Sequence, residues 1–135
     1  MFRYICACTF VVFASPALAT GFVYVQGPVS PNCLKCICHV ASNCMLPNPY
    51  LISHAYWTDA KRSGRPLGED WTNCTESFTC SAHAVQSYMK RHATQKGPCN
   101  TTTCMMFSRI HNGGPDGYKN PATLPYWEKV KACLP

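Results

Sequence analysis

The sequence predicts a small, mainly α-helical single domain, built of several short helices and stapled by disulfide bonds. Two observations lead to this fold class. Segments in the second half of the chain carry apolar side chains at helical spacing, and a chain of only 135 residues contains 11 cysteines. A chain of this length can bury one modest core, which disulfide bonds then supplement. We expect one domain, with β structure as a minor component at most.

The first 19 residues have the pattern of a secretory signal peptide. Arg3 precedes an apolar run over residues 5–13, and Ala17-Leu18-Ala19 supplies the small residues of a cleavage site. The run is shorter than the about 20 residues that a membrane-spanning helix needs, and no later stretch qualifies. We therefore expect residues 1–19 to be removed, residues 20–135 to form the domain, and the protein to be secreted, with no membrane span.

Cysteine usage then distinguishes a disulfide framework from a metal site. Removal of Cys6 and Cys8 leaves nine of the 11 cysteines, and loss of Arg3 lowers the net charge from +6 to +5. Scattered cysteines in an exported chain indicate disulfide bonds. Cys33-x-x-Cys36 has zinc-like spacing and is the alternative. We expect neither a metal nor a cofactor, and the odd number leaves one thiol unpaired or joined to another chain.

Three helices are predicted in the second half of the chain. Ser81 is the expected N-cap of a helix that runs to about His92. A second helix starts near Thr102 or Thr103, and a third follows Thr123. Their inward-facing residues are Ala82, Val85, Tyr88 and Met89; Met106, Phe107 and Ile110; and Trp127 and Val130. Upstream, two prolines exclude a regular helix over residues 45–54, and residues 61–73 have the composition of a loop.

Polar groups that can meet a ligand lie in the turn after the second helix. His111 and Asn112 precede Gly113-Gly114-Pro115, a combination that brings the backbone close to a bound molecule. The two side chains can hydrogen-bond a sugar. The alternative interpretation is an ordinary helix stop.

Two triplets fit the acceptor pattern for N-glycosylation. They begin at Asn73 and Asn100. Such triplets also arise by chance, and a neighbouring cysteine disfavours acceptance.

Taken together, these residues resemble the invertebrate-type (i-type) lysozymes, also called the destabilase family. Cys33-Leu34-Lys35-Cys36-Ile37-Cys38 is similar to the family's opening Cys-x-x-Cys-Ile-Cys, and Ala55-Tyr56-Trp57-Thr58-Asp59 to its Tyr-Trp-x-Asp segment. Val85–Arg91, Arg109–Pro115 and Tyr126-Trp127 follow in the family's order. The likeness covers about residues 29–133. It implies a small, mostly helical, lysozyme-like domain that cleaves the sugar chain of peptidoglycan; some members also split isopeptide bonds.

The sequence departs from the family at the positions that carry catalysis. In the family, the general acid is a glutamate in Cys-Ile-Cys-x-x-Glu-Ser-Gly-Cys, and the corresponding residue here is Ala41. The loop that bears the partner aspartate and the isopeptidase serine is missing between Cys44 and Pro49. We therefore expect no catalytic residue. Asp59 is the weak candidate for a substitute, and His39 a poorer one.

The resemblance also implies how the cysteines pair. The expected bonds are Cys33–Cys104, Cys36–Cys133, Cys38–Cys44 and Cys74–Cys80. A further family pair is replaced at both ends, by Ala60 and Ala84. The partner position of Cys99 holds Tyr118, so that Cys99 is the expected unpaired thiol.

Two functional hypotheses follow from the resemblance. In the first, the protein binds peptidoglycan or a chitin-like glycan on bacterial surfaces, in innate defence or digestion, without muramidase activity. Its expected binding residues are Tyr56, Trp57, His111, Asn112, Gly113 and Gly114, and Lys61, Arg62 and Arg65 favour anionic surfaces. The alternative is an active, bacteriolytic lysozyme that uses Asp59. We expect no nucleic-acid partner and a monomer, with a disulfide dimer through Cys99 as the variant.

Overall fold

Short helices form the regular structure of the computed structural model, which describes residues 21–94 and 103–135. They are α1 (Pro31–Ser42), α2 (His54–Lys61), α3 (Trp71–Thr75), α4 (Phe78–His92), α5 (Cys104–Gly113) and α6 (Leu124–Cys133). These described ranges contain no β-strand, which confirms the mainly helical fold class. The expected signal peptide, Cys99 and Asn100 lie outside the described residues.

Helix α1 forms because its ends are specified and one of its faces is apolar. The Ser30 hydroxyl accepts a hydrogen bond from the Cys33 amide, and Pro31 occupies the first turn. Asn43 ends the helix in a left-handed conformation, with φ at 61°. Leu34 and Ile37 are fully buried. The helix therefore lies inside the domain, with its cysteines close to several other elements.

Four disulfide bonds connect these elements. Cys33 is bonded to Cys104 at the start of α5, and Cys36 to Cys133 at the end of α6, across sequence separations of 71 and 97. The other two bonds, Cys38–Cys44 and Cys74–Cys80, each span a separation of 6. All four pairs are those that the family resemblance implies. Cys33 and Cys36 have different disulfide partners and offer no thiolate to a zinc ion.

Helices α2 and α4 pack against each other and position the site described below. Ala60 on α2 and Ala84 on α4, the positions at which the resemblance implies a lost disulfide, are both fully buried. Helix α2 begins at the Ser53 cap, whose hydroxyl accepts from the Tyr56 amide at 3.1 Å. Small residues at 60 and 84 allow the two backbones to approach closely, as in other helix pairs.

The predicted boundaries differ from the observed ones at one helix. Helix α4 begins at Phe78, and its N-cap is Ser77 rather than Ser81. Ser81 lies one turn inside, where its hydroxyl donates to the Ser77 carbonyl at 2.7 Å. The sequence offers a serine at both positions, and the Ser77 hydroxyl makes the capping bond, which it accepts from the Cys80 amide at 3.1 Å. The predicted starts of α5 after Thr103 and of α6 after Thr123 are confirmed.

Most of the residues predicted to face inward are buried. The apolar face predicted for α4 is buried, and so are Phe107, Ile110 and Val130, whereas Met106 and Trp127 are half-buried. The loop predicted over residues 61–73 ends at Asp70, whose carboxylate caps α3. None of the helices in the described ranges is long and apolar enough to cross a membrane.

A buried glutamine fastens the N-terminal segment to α4. The Gln86 amide nitrogen donates to the carbonyls of Val25 and Val29, both at 2.9 Å, and its amide oxygen accepts from the Val29 amide at 2.9 Å. Gln86 is only 3% exposed to solvent. Gly27 lies against the same side chain, where a β-carbon would clash. The segment therefore reaches α4 through one fully bonded carboxamide.

We predict that Gln86→Glu destabilises the domain by about 2–6 kcal/mol, because a carboxylate cannot donate to the two buried carbonyls. Urea unfolding of the mature protein measures the change. Gln26→Glu makes the same substitution at an exposed neighbour and should cost less than about 0.5 kcal/mol. Equal stability of the two variants would contradict the role given to Gln86.

Candidate functional site

An aromatic pair joins α2 to α4 at the centre of the candidate site. The rings of Tyr56 and Tyr88 are stacked, with centroids 3.7 Å apart and an interplanar angle of 10°. Burial is the main cause that raises the pKa of each hydroxyl. For Tyr88, burial and the nearby Asp59 carboxylate together raise the pKa to about 12. Both phenols are therefore neutral at pH 7 and can donate or accept hydrogen bonds.

His111 at the end of α5 is tied to this pair. Its Nε2 lies 2.9 Å from the Tyr50 carbonyl oxygen, and its Nδ1 lies 2.9 Å from the Tyr56 hydroxyl. A carbonyl only accepts, so Nε2 carries the proton and Nδ1 accepts from the hydroxyl. Burial lowers the pKa of His111 to about 4, against the opposing effect of the hydrogen bond to Tyr50. The imidazole is thus a neutral positioning group with both nitrogens occupied.

Asp59 lies on the next turn of α2 and is surrounded by basic side chains. One carboxylate oxygen contacts His92 Nε2, and the other lies 3.1 Å from Arg91 Nε and 3.7 Å from Arg62 Nη1. The His92 ring also packs on Tyr88, with centroids 4.5 Å apart. The carboxylate therefore links the ends of α2 and α4 on one side of the aromatic pair.

Tyr56, Tyr88, His111 and Asp59 line a cavity of about 460 Å³, which we call the groove. Its volume lies within the usual range for ligand sites. It combines aromatic rings, a carboxylate, a guanidinium, an exposed amide and a hydroxyl. The lining residues are Ser53, Ala55, Tyr56, Asp59, Arg62, Tyr88, His111, Asn112 and Gly114.

A second cavity of similar volume, about 470 Å³, opens beside α3 and the start of α4. Its lining is mostly apolar surface and includes the Cys74–Cys80 bond and Asn73, one of the two predicted glycosylation positions. Asn73 is exposed. We assign the candidate site to the groove instead, because the groove brings together polar side chains from α2, α4 and α5.

The structure gathers four of the six predicted binding residues in the groove lining: Tyr56, His111, Asn112 and Gly114. Trp57 is only 5% exposed and belongs to the core. Gly113 is not part of the lining, and a β-carbon there would lie 2.5 Å from Thr123. His111 lines the groove, but its two nitrogens are engaged within the protein. Asn112 is thus the exposed hydrogen-bonding group of the predicted turn.

Sequence reasoning missed Tyr88 and His92 as site residues. The helical spacing predicts Tyr88 on the core face of its helix and gives no role to His92. The signal that could have found them is their spacing: Tyr88 and His92 are four residues apart, which places both on one face of α4. That face meets Asp59 only because α2 packs against α4, which the local pattern does not contain.

The three positions considered for a catalytic acid, Ala41, His39 and Asp59, do not lie together, and only Asp59 is in the groove. Ala41 is half-buried in the last turn of α1 and is not part of the groove lining. His39 is exposed two residues earlier, and its Nδ1 lies 3.2 Å from the Asn43 side-chain oxygen. Within the described ranges, no group of three or more histidine, cysteine, aspartate or glutamate side chains is placed to hold a metal ion.

Comparisons with known proteins agree on one family. The model of the Destabilase family matches residues 30–133. The lysozyme of Magallana gigas is 38% identical over 125 residues, which cover 84% of this chain and 86% of the relative. The invertebrate-type lysozyme of Ruditapes philippinarum is 37% identical over 129 residues, which cover 84% and 90%.

A solved structure supports the same likeness at the level of the fold. The inhibitor-bound lysozyme from Meretrix lusoria superposes with a TM-score of 0.72 and 36% sequence identity. The alignment covers 81% of this chain and 93% of that one. The prediction of a lysozyme-like fold is confirmed.

We predict that His111 makes stability depend on pH. Its folded pKa of about 4 lies below the unfolded value of about 6.5. The stabilisation is therefore complete above pH 6.5 and is lost as the pH falls towards 4, by about 3 kcal/mol at pH 4. Denaturant unfolding between pH 4 and 7.5 measures how much stability the protein loses as the pH falls. His111→Gln should lose about 3 kcal/mol less over this range than the unmodified protein. His39→Gln, which removes an exposed imidazole, is the control and should lose as much stability as the unmodified protein. If His111→Gln also loses as much, His111 is not the source of the pH dependence.

Proposed function

Since this chain belongs to the invertebrate-type lysozyme (destabilase) family, we propose that it binds peptidoglycan or a related chitin-like glycan in the groove without cleaving it. Ala41 is the observation that carries the proposal, because the resemblance aligns it with the glutamate acid of the family. Hydrolysis of a glycosidic bond requires one carboxyl group that donates a proton and a second carboxylate on the other side of the reacting carbon. An alanine side chain has no proton to give.

The connection after α1 supports the absence of the second carboxylate. Only four residues separate Cys44 from Pro49, and none of them is acidic. The Ser42 hydroxyl donates to the Pro49 carbonyl at 2.6 Å and accepts from the Met45 amide at 3.0 Å. The Cys38–Cys44 bond closes the same turn. This short, bonded connection takes the place of the longer loop that carries the aspartate in the family.

Asp59 is the one carboxylate in the groove, and its surroundings do not suit a general acid. Both of its oxygens face basic side chains, those of Arg91, His92 and Arg62. The other acidic residues of the chain are exposed and do not line the groove: Glu69, Asp70, Glu76, Asp116 and Glu128. A single ion-paired carboxylate provides half of the machinery at most, so we favour binding over cleavage.

The groove offers what a sugar chain requires for binding. The exposed Asn112 amide can exchange hydrogen bonds with hydroxyl and acetamido groups, and the stacked tyrosines add apolar surface to the groove lining. The ordered hydrogen bonds of Tyr56 and His111 keep this surface in one conformation, which lowers the entropic cost of binding. The four disulfide bonds suit an extracellular site of action.

The formal charge of +6 for the whole chain, +5 without Arg3, favours encounters with anionic bacterial surfaces. A role in innate defence or digestion follows from this partner. We propose that the protein acts as a monomer.

We predict that the mature protein does not clear peptidoglycan suspensions, and that Ala41→Glu alone leaves the rate near background. General acid catalysis contributes about 10²–10⁴-fold and depends on a second group that stabilises the developing charge. The assay is turbidity loss of purified cell walls, with the Magallana gigas lysozyme as the positive control and circular dichroism to verify folding. Clearing by the unmodified protein at the rate of that relative would overturn the proposal.

We further predict that Asn112→Ala weakens binding of chitin or peptidoglycan oligomers about 3–10-fold, through loss of a hydrogen bond made by an exposed amide. Titration calorimetry measures the affinity. Asn32→Ala is the matched control, because Asn32 is exposed on α1, away from the groove, and it should bind like the unmodified protein. Equal affinities of all three proteins would place the glycan elsewhere.

A further inference from the structure

A strip of basic side chains lies outside the groove, where the turn after α2 meets the end of α4. Two adjacent cavities form it. One, of about 230 Å³, is lined by Arg62, Ser63, Lys90 and Arg91. The other, of about 160 Å³, is lined by Ser63, Arg65 and Lys90, together with Gln26, Gly27, Pro28, Gln86 and Ser87. They share Ser63 and Lys90, so they form one continuous surface, which we call the basic trough.

The trough carries a concentrated positive charge. Four cationic side chains line it, those of Arg62, Arg65, Lys90 and Arg91, and no carboxylate belongs to the lining of either cavity. Asp59 pairs with two of the four from the groove side. Four positive charges against one negative charge leave a local charge of +3. Arg65, Lys90 and most of the Arg62 side chain are exposed to solvent.

Helix ends account for only part of this charge. Arg62 follows the last turn of α2, and Lys90 and Arg91 lie in the last turn of α4, where cations complement the helix dipole. Arg65 lies beyond both helix ends. Its guanidinium donates to His83 Nδ1 at 2.8 Å, and burial together with this guanidinium lowers the pKa of His83. His83 is therefore a neutral acceptor that orients Arg65 without cancelling its charge.

The walls of the trough are held at a fixed separation. The Ser63 hydroxyl donates to the Ser87 carbonyl at 2.7 Å, which joins the turn to α4. On the other side, the bonded Gln86 side chain holds residues 25–29 against the same helix. Asp59 holds both Arg62 and Arg91. The cations are thus arranged before any ligand arrives, which lowers the cost of binding.

We propose that the basic trough binds a linear anionic polysaccharide through its carboxylate or sulfate groups. A guanidinium matches the two oxygens of such a group, and an ammonium adds a point charge. Each cavity is smaller than a site for a drug-sized molecule and suits a single charged substituent. Two cavities that share a wall suit a polymer with charges at regular intervals. This second site extends the proposed glycan binding and does not depend on the groove.

Nucleic acid is the competing polyanion, and the trough lacks what single strands require. Proteins that bind single-stranded nucleic acid stack bases on aromatic side chains within a basic channel. No aromatic residue lines either cavity of the trough. Arg62 instead lines both the trough and the groove, so a polysaccharide can continue from one to the other.

The test compares two double variants that remove the same charge. Arg65→Gln/Lys90→Gln changes the trough and leaves the groove lining intact. Lys129→Gln/Lys131→Gln changes exposed residues of α6, which packs on α1 and α5. Calorimetric titrations of the mature proteins use a sulfated heparin octasaccharide, a carboxylated galacturonate octamer, neutral chitotetraose and a single-stranded DNA oligomer. Circular dichroism verifies that each variant is folded.

A cation beside an anionic surface contributes about fivefold to binding. We therefore expect the trough variant to bind at least one of the two anionic glycans about 25-fold more weakly, and the α6 variant less than threefold more weakly. Loss for both glycans indicates a general oxyanion site, and loss for one identifies the substituent. Equal weakening by both variants, or DNA binding as tight as glycan binding, would overturn the proposal. Chitotetraose affinity tests the groove separately and should be the same in all three proteins.

Discussion

The placement of α1 is the constraint on which the rest of the structure depends. Three of its cysteines are bonded, to α5, to α6 and to the turn that follows the helix. The two long bonds remove much of the conformational freedom of the unfolded chain, and closure of a loop of about 100 residues contributes roughly 4–5 kcal/mol in the entropic account. A domain of this size buries a limited core. These bonds supplement the packing of short helices, some of only five to ten residues.

The site does not lie on α1, and it depends on this framework indirectly. The bond to Cys104 fixes the start of α5, and His111 lies at the other end of that helix. The His111 ring then joins Tyr50 and Tyr56, from the connector and from α2. Tyr56 stacks on α4, which Gln86 fastens to the N-terminal segment. A contact between four segments that are distant in sequence is therefore produced by a few specific bonds, each with its polar groups satisfied.

Much of this arrangement could be predicted from the sequence. The family, the fold class and the start of two helices follow from local patterns and from the order of short motifs. The contacts of Asp59 could not be predicted, because they depend on how α2 packs against α4, and two buried alanines carry little signal for a close approach. Trp57 and Gly113 illustrate the opposite error. Both belong to segments with a binding signature, but the helical rotation turns Trp57 into the core, and Gly113 lies outside the groove lining, with Thr123 where a β-carbon would extend.

The charge distribution gives the proposed loss of catalysis a consequence for binding. An ionised carboxylate without a basic partner repels an anionic ligand in a binding groove. In this protein, Asp59 is the one acidic residue of the groove, and Arg62 and Arg91 pair with it. The basic trough begins at the same arginine that ends the groove. The groove and the basic trough therefore form one surface on which arginines offset the one groove carboxylate, a charge distribution consistent with the proposed binding of acidic glycans.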